Sequence, residues 1–261
     1  MPLMTREEYV KKSYNFPYTL IIKHKENLLY YFGEVHTNNP DHDQWGKFRA
    51  FWEEFLIKTE GKKRIVFVEG GIPPCEDGEE KSILINGCPG LTTFLAVENN
   101  IETYSPEPDR SLEIKMLEEK FTRDEIVYSY FARQCRTWHR LMEPRIDFNE
   151  YINNYLYKLS KHTDWRDYDF SIDNIKKIHQ DIFRKKFEND LDFFKSITDP
   201  YSLNDNVVIR VLRAISFKRE DYIVGEILRH IKNGYSIFVE YGGSHLIVQE
   251  PLLRETLEIG E

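Results

Sequence analysis

Apolar residues along this chain fall into two kinds of pattern: short unbroken runs and longer stretches with helical spacing. The runs "YTLIIK" at 18–23, "LLYYF" at 28–32 and "RIVFV" at 64–68 are rich in β-branched and aromatic side chains and predict strands. "SIFVEYGG" at 236–243 is another, and "IETYS" at 101–105 a weaker, outer one. Runs with no polar alternation predict strands covered on both faces, as in the centre of an α/β sheet. "HKEN" turns the first strand into the second, a hairpin at one side of the sheet.

Helical spacing fills the intervals. Trp45, Phe48, Phe51, Trp52 and Phe55 form a stripe that ends at Gly61, and we read it as core. Strand, helix, strand makes a crossover unit, so the sheet is at least partly parallel. Residues 70–88, rich in Gly, Pro and acids, read as a long loop over the strand ends, a candidate lid, and "PGLTTFLAVENN" as a short helix. From 110 to 215 only helical patterns occur. Thr122 with Glu125, and Asp147 with Glu150, have capping-box spacing, and Ile175, Ile178, Ile182, Phe183 and Phe187 trace one apolar face. A long helix from about Asn204 to Asn233 stops at Gly234 before the last strand. The expectation is a single α/β domain over 1–261, with a mixed, largely parallel central sheet flanked by helices and a helical insertion at 110–215.

Composition narrows the function classes. A chain of 261 residues with 41% hydrophobic and 31% charged residues fits a globular protein, neither disordered nor membrane-embedded. No apolar segment approaches the ~20 residues of a spanning helix. The start "MPLMTREEYVKKSY" lacks the apolar core of a secretory signal, so a cytoplasmic location is expected. A net charge of −8, with Lys and Arg interleaved among acids, argues against a nucleic-acid partner. Cys75, Cys88 and Cys135 form no C-x-x-C pair and read as small buried or incidental residues.

Candidate chemistry gathers where the strands end. Glu34 and His36 follow Gly33, Glu69 follows "RIVFV", Glu107 and Asp109 follow "IETYS", and Gly242, Gly243 and His245 follow the last strand. Open α/β sheets bind ligands beyond the carboxyl ends of their strands. Gly-x-x-His occurs twice, at Gly33–His36 and Gly242–His245. His36, Glu69 and His245 suffice for a divalent metal, Zn, Mn or Co, with an open position that lowers the pKa of a bound water. The same set works without metal, a histidine held by Glu34 or Glu69 acting as general base on water. Both chemistries stand open here. Glu107 and Asp109 in "SPEPDR" fit either a charged loop or the same site, and Arg219 either a salt-bridged helix surface or the site. The other histidines read as structural.

This set resembles a superfamily that includes the TraB/PrgY pheromone-shutdown proteins, the Tiki proteases, the ChaN-like proteins and the erythromycin esterases. Its members share an early Gly-x-x-His with an adjacent Glu or Thr, a Glu after the next strand, a helical Arg-Asp-x-x-Met and a late Gly-x-x-His. The matching positions here are Gly33, Glu34 and His36, then Glu69, then Arg219, Glu220 and Ile223, then Gly242 and His245. "GEVH" is closer to the esterase and ChaN-like branches, while Glu220 and Ile223 depart from the usual Asp and Met. The resemblance implies a hydrolase acting on an ester or peptide bond of a small-molecule or peptide substrate. His36, Glu34, Glu69, His245, Arg219 and Glu107 would form its site. The alternative it implies is a non-enzymatic binder of haem, metal or an anionic ligand. The geometric expectation is that His36, Glu69 and His245 line one pocket, with Arg219 at its wall and 70–88 over its mouth.

Overall fold

The computed structural model describes residues 3–11, 13–141 and 144–258. In chain order the elements are α1 (Arg6–Tyr9), β1 (Tyr18–His24), β2 (Asn27–Glu34), α2 (Gln44–Lys58), β3 (Lys63–Val68), α3 (Glu79–Glu98) and β4 (Glu102–Tyr104). There follow α4 (Arg110–Glu118), α5 (Arg123–Trp138), α6 (Phe148–Ser160), α7 (Ile172–Phe183), α8 (Leu191–Ile197), α9 (Val207–Lys232), β5 (Tyr235–Gly242) and α10 (Gly243–Glu258). Among the described residues the sheet has five strands in the order β1-β2-β5-β3-β4. The β1–β2 hairpin is antiparallel and all other pairs are parallel, so the fold is α/β with a mixed, largely parallel sheet.

β5 takes the centre because every residue from Ser236 to Gly242 is buried, which requires a neighbouring strand on each side and a helix on each face. Side chains alternate across the sheet. Ile237, Val239 and Tyr241 face one way, with Leu29, Tyr31, Ile65 and Phe67, onto the second half of α9 and onto α10. Phe238 faces the other way, with Tyr30, Phe32, Val66 and Val68, onto α2 and α3. The aromatic stripe of α2 is core as expected: Phe48, Phe51, Trp52 and Phe55 surround Phe238 with ring centroids 5.5, 5.8, 4.9 and 5.5 Å away.

The chain divides into two compact units, Met1–Glu107 with Arg219–Glu261, and Pro108–Lys218. The second unit is helical and has its own core, including Ile126, Phe131, Ile152, Leu156, Ile175 and Phe194. Thr122 and Glu125 form a complete capping box, while Asp147 caps α6 through the Glu150 amide alone. α9 starts in this unit and ends in the first, just before Gly234 at φ +85°. Among the described residues, no helix is long and apolar enough to cross a membrane.

The 70–88 loop is shorter than its composition predicts. Residues 79–88 belong to α3, so the loop is confined to roughly 69–78. The acids of that stretch, Glu79 and Glu80, occupy the first helical turn, where they favour a helix. The "GCPG" punctuation only breaks the helix, with φ +61° at Gly87 and Pro89 opening the next segment. α10, for which the sequence pattern carries no expectation, continues from the "GGSH" turn and carries Pro251 inside it, a residue that obscures a helical pattern. Replacing the central ring, Phe238→Ala, should cost about 3–5 kcal/mol of stability through the cavity it leaves, read by urea unfolding.

Candidate functional site

The four parallel strands all point their carboxyl ends at one rim, and the chemistry-bearing residues follow from register. Glu34, the last residue of β2, lies opposite Gly242, and Glu240 lies between Phe32 and Val68. Glu69 is therefore one residue past the β3–β5 ladder. With a period of two, Glu34 and Glu240 continue the face of Phe32 and Phe238, under α2 and α3.

The paired glycines of the rim are set by close approach. A Cβ at Gly33 would meet Gly243 Cα at 2.9 Å and Tyr18 O at 3.0 Å, backbone on both sides. A Cβ at Gly242 would come within 2.7 Å of His36 Nε2 and 3.5 Å of Glu69 Oε2. The His36 ring thus lies over Gly242, its Nδ1 2.5 Å from Glu34 Oε1. Its side chain is 58% exposed, while that of Glu34 is 2% exposed, so a buried carboxylate holds an accessible imidazole. The Glu34 hydrogen bond raises the His36 pKa more than desolvation lowers it, and solvent at the exposed ring moderates the shift.

Arg219 joins three strand ends. Its Nε and Nη2 donate to the two oxygens of Glu107 at 2.7 and 2.6 Å, Nη2 also to Glu69 Oε1 at 3.0 Å, and Nη1 to His245 Nε2 at 2.9 Å. Glu69 Oε2 accepts the Gly242 amide at 2.7 Å. Burial alone would raise the Glu69 carboxyl, but its neighbours His245, Arg219 and His36 outweigh burial and hold it well below the usual range. His245 Nδ1 meets Glu220 Oε1 at 2.6 Å, Gln249 donates to the other Glu220 oxygen at 2.6 Å, and Tyr31 donates to Gln249 at 3.1 Å. Burial would lower His245, yet Glu220 and Glu69 outweigh it and push its pKa up to about 9. The contact with Arg219 argues the other way, because a protonated Nε2 would set two cationic N–H groups 2.9 Å apart. We therefore assign the ring proton to Nδ1, facing Glu220, with Nε2 accepting from Arg219.

The sequence-derived residues consequently separate into two groups. Glu34, His36 and Glu69 each offer one ligand atom within 4.8 Å of the others, and they line a cavity of about 280 Å³ with Asn38, Asn86 and Cys88. His245, expected as a third metal ligand, instead has both ring nitrogens engaged by Arg219 and Glu220. Arg219 and Glu107 bind each other and position Glu69. Asp109 caps α4 through the amides of Ser111 and Leu112. Residues 86–89, at the kink of α3, do line the cavity. Sequence reasoning missed Glu240, Cys88 and Gln249. Glu240 carried a signal, an acid inside an otherwise apolar strand. Burial, then the charges of Glu34 and Glu69, push its carboxyl well above the ordinary range and so favour its neutral form.

Two outcomes follow from this geometry. Gly242→Ala should leave the thermal midpoint nearly unchanged, read by thermal unfolding, because the free end of the His36 side chain can swing aside from the added Cβ. Arg219→Met strands Glu69 and Glu107 and should cost about 3–5 kcal/mol at neutral pH. Glu69 has a depressed native pKa, so the stability it contributes is fully present above the ordinary ~4.3 and is lost as pH falls through the native value. Denaturant titrations of wild type and Arg219→Met should accordingly converge in acid.

Comparison with protein-family models, with curated proteins and with solved structures returns no match for this chain.

Proposed function

We propose that this protein is a hydrolase that activates water at His36 and cleaves an ester or peptide bond of a small-molecule or peptide substrate. The observation that carries the reading is the Glu34–His36 pair, a buried carboxylate 2.5 Å from the Nδ1 of an exposed ring. Nδ1–H donated to Glu34 fixes the tautomer and leaves the Nε2 lone pair free. Nε2 takes a proton from water as its oxygen attacks the carbonyl carbon, and returns it to the leaving group as the intermediate collapses. Glu69, anchored by the Gly242 amide and Arg219, lies beside the ring and orients the water. Asn86 Nδ2, a buried donor without a hydrogen-bond partner, lines the same cavity and is available to the developing oxyanion.

Glu34, His36 and Glu69 also fit a divalent cation such as Zn, Mn or Co, one ligand atom from each lying within 4.8 Å of the others. When bound there, such an ion supplies a water of lowered pKa. The resemblance to the Tiki and erythromycin esterase proteins supports both forms of the reading. A ChaN-like binder of metal, haem or an anionic ligand without turnover is the second reading. The surplus of charge at the rim favours it, since Glu34, Glu69, Glu107 and Glu220 face one guanidinium and two imidazoles.

His36→Ala should lower turnover on a panel of esters and peptides by ~100-fold or more while circular dichroism stays native. Wild-type turnover in a folded variant would remove His36 as the base. Metal retained through purification, with no turnover by the wild-type protein on any member of the panel, would decide for the binding protein.

A further inference from the structure

Behind His36 lies a set of polar atoms that the proposed reaction does not use. Glu240 is fully buried, and neither carboxylate oxygen has a hydrogen-bond partner. The inner oxygen of Glu34, Oε2, is buried and unpartnered as well. Glu34, Cys88 and Glu240 each place one donor atom within 4.8 Å of the other two. The Glu69 backbone amide and the Cys88 thiol approach Glu240 as weak donors that lower its carboxyl a little, short of a full hydrogen bond. Thr92, one helical turn after Cys88, adds a buried hydroxyl whose neighbour is the Cys88 sulfur. Buried polar atoms are nearly always satisfied, so such a convergence inside the core points to a missing ligand.

The ligand's chemistry follows from the donors. Two carboxyl groups and a thiol converge with no cationic side chain among them, which excludes an anion. A thiolate alongside oxygen donors suits zinc or cobalt over magnesium or calcium, which take oxygen alone. Entry is open, because Cys88 and Glu34 both line the cavity that His36 and Glu69 share. Two independent elements shape the position. The kink of α3 at Gly87 brings Cys88 over the sheet, and the central placement of β5 sets Glu240 beside Glu34.

We propose that Glu34, Cys88 and Glu240 form a buried site for a thiophilic divalent cation, separate from the water-activating position and sharing Glu34 with it. Binding displaces the thiol proton of Cys88 and the carboxyl proton of Glu240, which leave through the cavity, so the ion exchanges two protons for two charged ligands. One oxygen of Glu34 then holds the ion while the other holds His36 Nδ1, so the ion orients the imidazole from behind. The proposal goes beyond the hydrolytic reading and does not require it.

The test is cobalt titration of the full chain in a Cys75→Ser background, which removes the exposed thiol. A sulfur-to-cobalt charge-transfer absorption is expected, retained in His36→Ala, absent in Cys88→Ser, and requiring at least tenfold more cobalt in Glu240→Gln. Retention in His36→Ala separates this site from the water-activating one, so loss of hydrolysis and loss of the inner ion are read independently. Glu240→Gln mimics a neutral acid, so unchanged cobalt affinity there would make Glu240 a protonated spacer and overturn the proposal. Absence of the absorption in the Cys75→Ser protein, or its persistence in Cys88→Ser, would overturn it too. If Cys88→Ser does not fold, the absorption in the Cys75→Ser background and its weakening by Glu240→Gln carry the decision.

Discussion

One guanidinium ties the carboxyl-end rim together. Arg219 reaches Glu107 beyond β4, Glu69 beyond β3 and His245 beyond β5, and all three contacts are largely shielded from water. Carboxylates brought this close would repel one another and take up protons; His245 and, as a permanent charge at their centre, Arg219 keep Glu69 ionised. Only Arg suits the position, because its planar fork binds both oxygens of Glu107 and still has donors for two other groups. Lysine would supply the charge without the directions.

Parallel strand order supplies the other half of the constraint. A parallel sheet ends all its strands on one side, so residues far apart in sequence converge without any contact between their own segments. The order β1-β2-β5-β3-β4 puts the last strand between the second and third, and this brings His245 and Gly242 to the middle of the rim. The glycines then set how closely the side chains can approach: Gly33 admits the first turn of α10, and Gly242 admits the His36 ring.

Much of this was legible in the chain and part was not, for physical reasons. The strands could be read because buried parallel strands are unbroken apolar runs, and α2 because its aromatic residues repeat with the helical period. Glu34, His36, Glu69 and His245 stood out because each follows such a run. Loop composition misled at Glu79 and Glu80, whose charges serve a helix N-terminus. Glu240 and Cys88 stayed hidden because their meaning depends on neighbours supplied by tertiary structure. Nothing local tells that an acid in "SIFVEY" will face Glu34, or that a cysteine after a helix break will lie over both. His245 shows the converse. Its repeat of the Gly-x-x-His pattern suggested a shared ligand set, whereas Arg219 and Glu220 engage its two ring nitrogens and turn it into a support.

Glu34 joins the exposed imidazole to the buried acids behind it. Its outer oxygen fixes the tautomer of His36, and its inner oxygen has no protein donor. A carboxylate with one face toward solvent chemistry and the other toward Glu240 passes any change of charge behind it to the imidazole in front. A neutral Glu240 leaves the negative charge of Glu34 to His36, favouring the imidazolium, whereas a cation bound between Glu34 and Glu240 would withdraw that charge and favour the free base. The acid buried in the central strand therefore bears on how readily His36 accepts a proton, although no atom of Glu240 lines the cavity in which His36 lies.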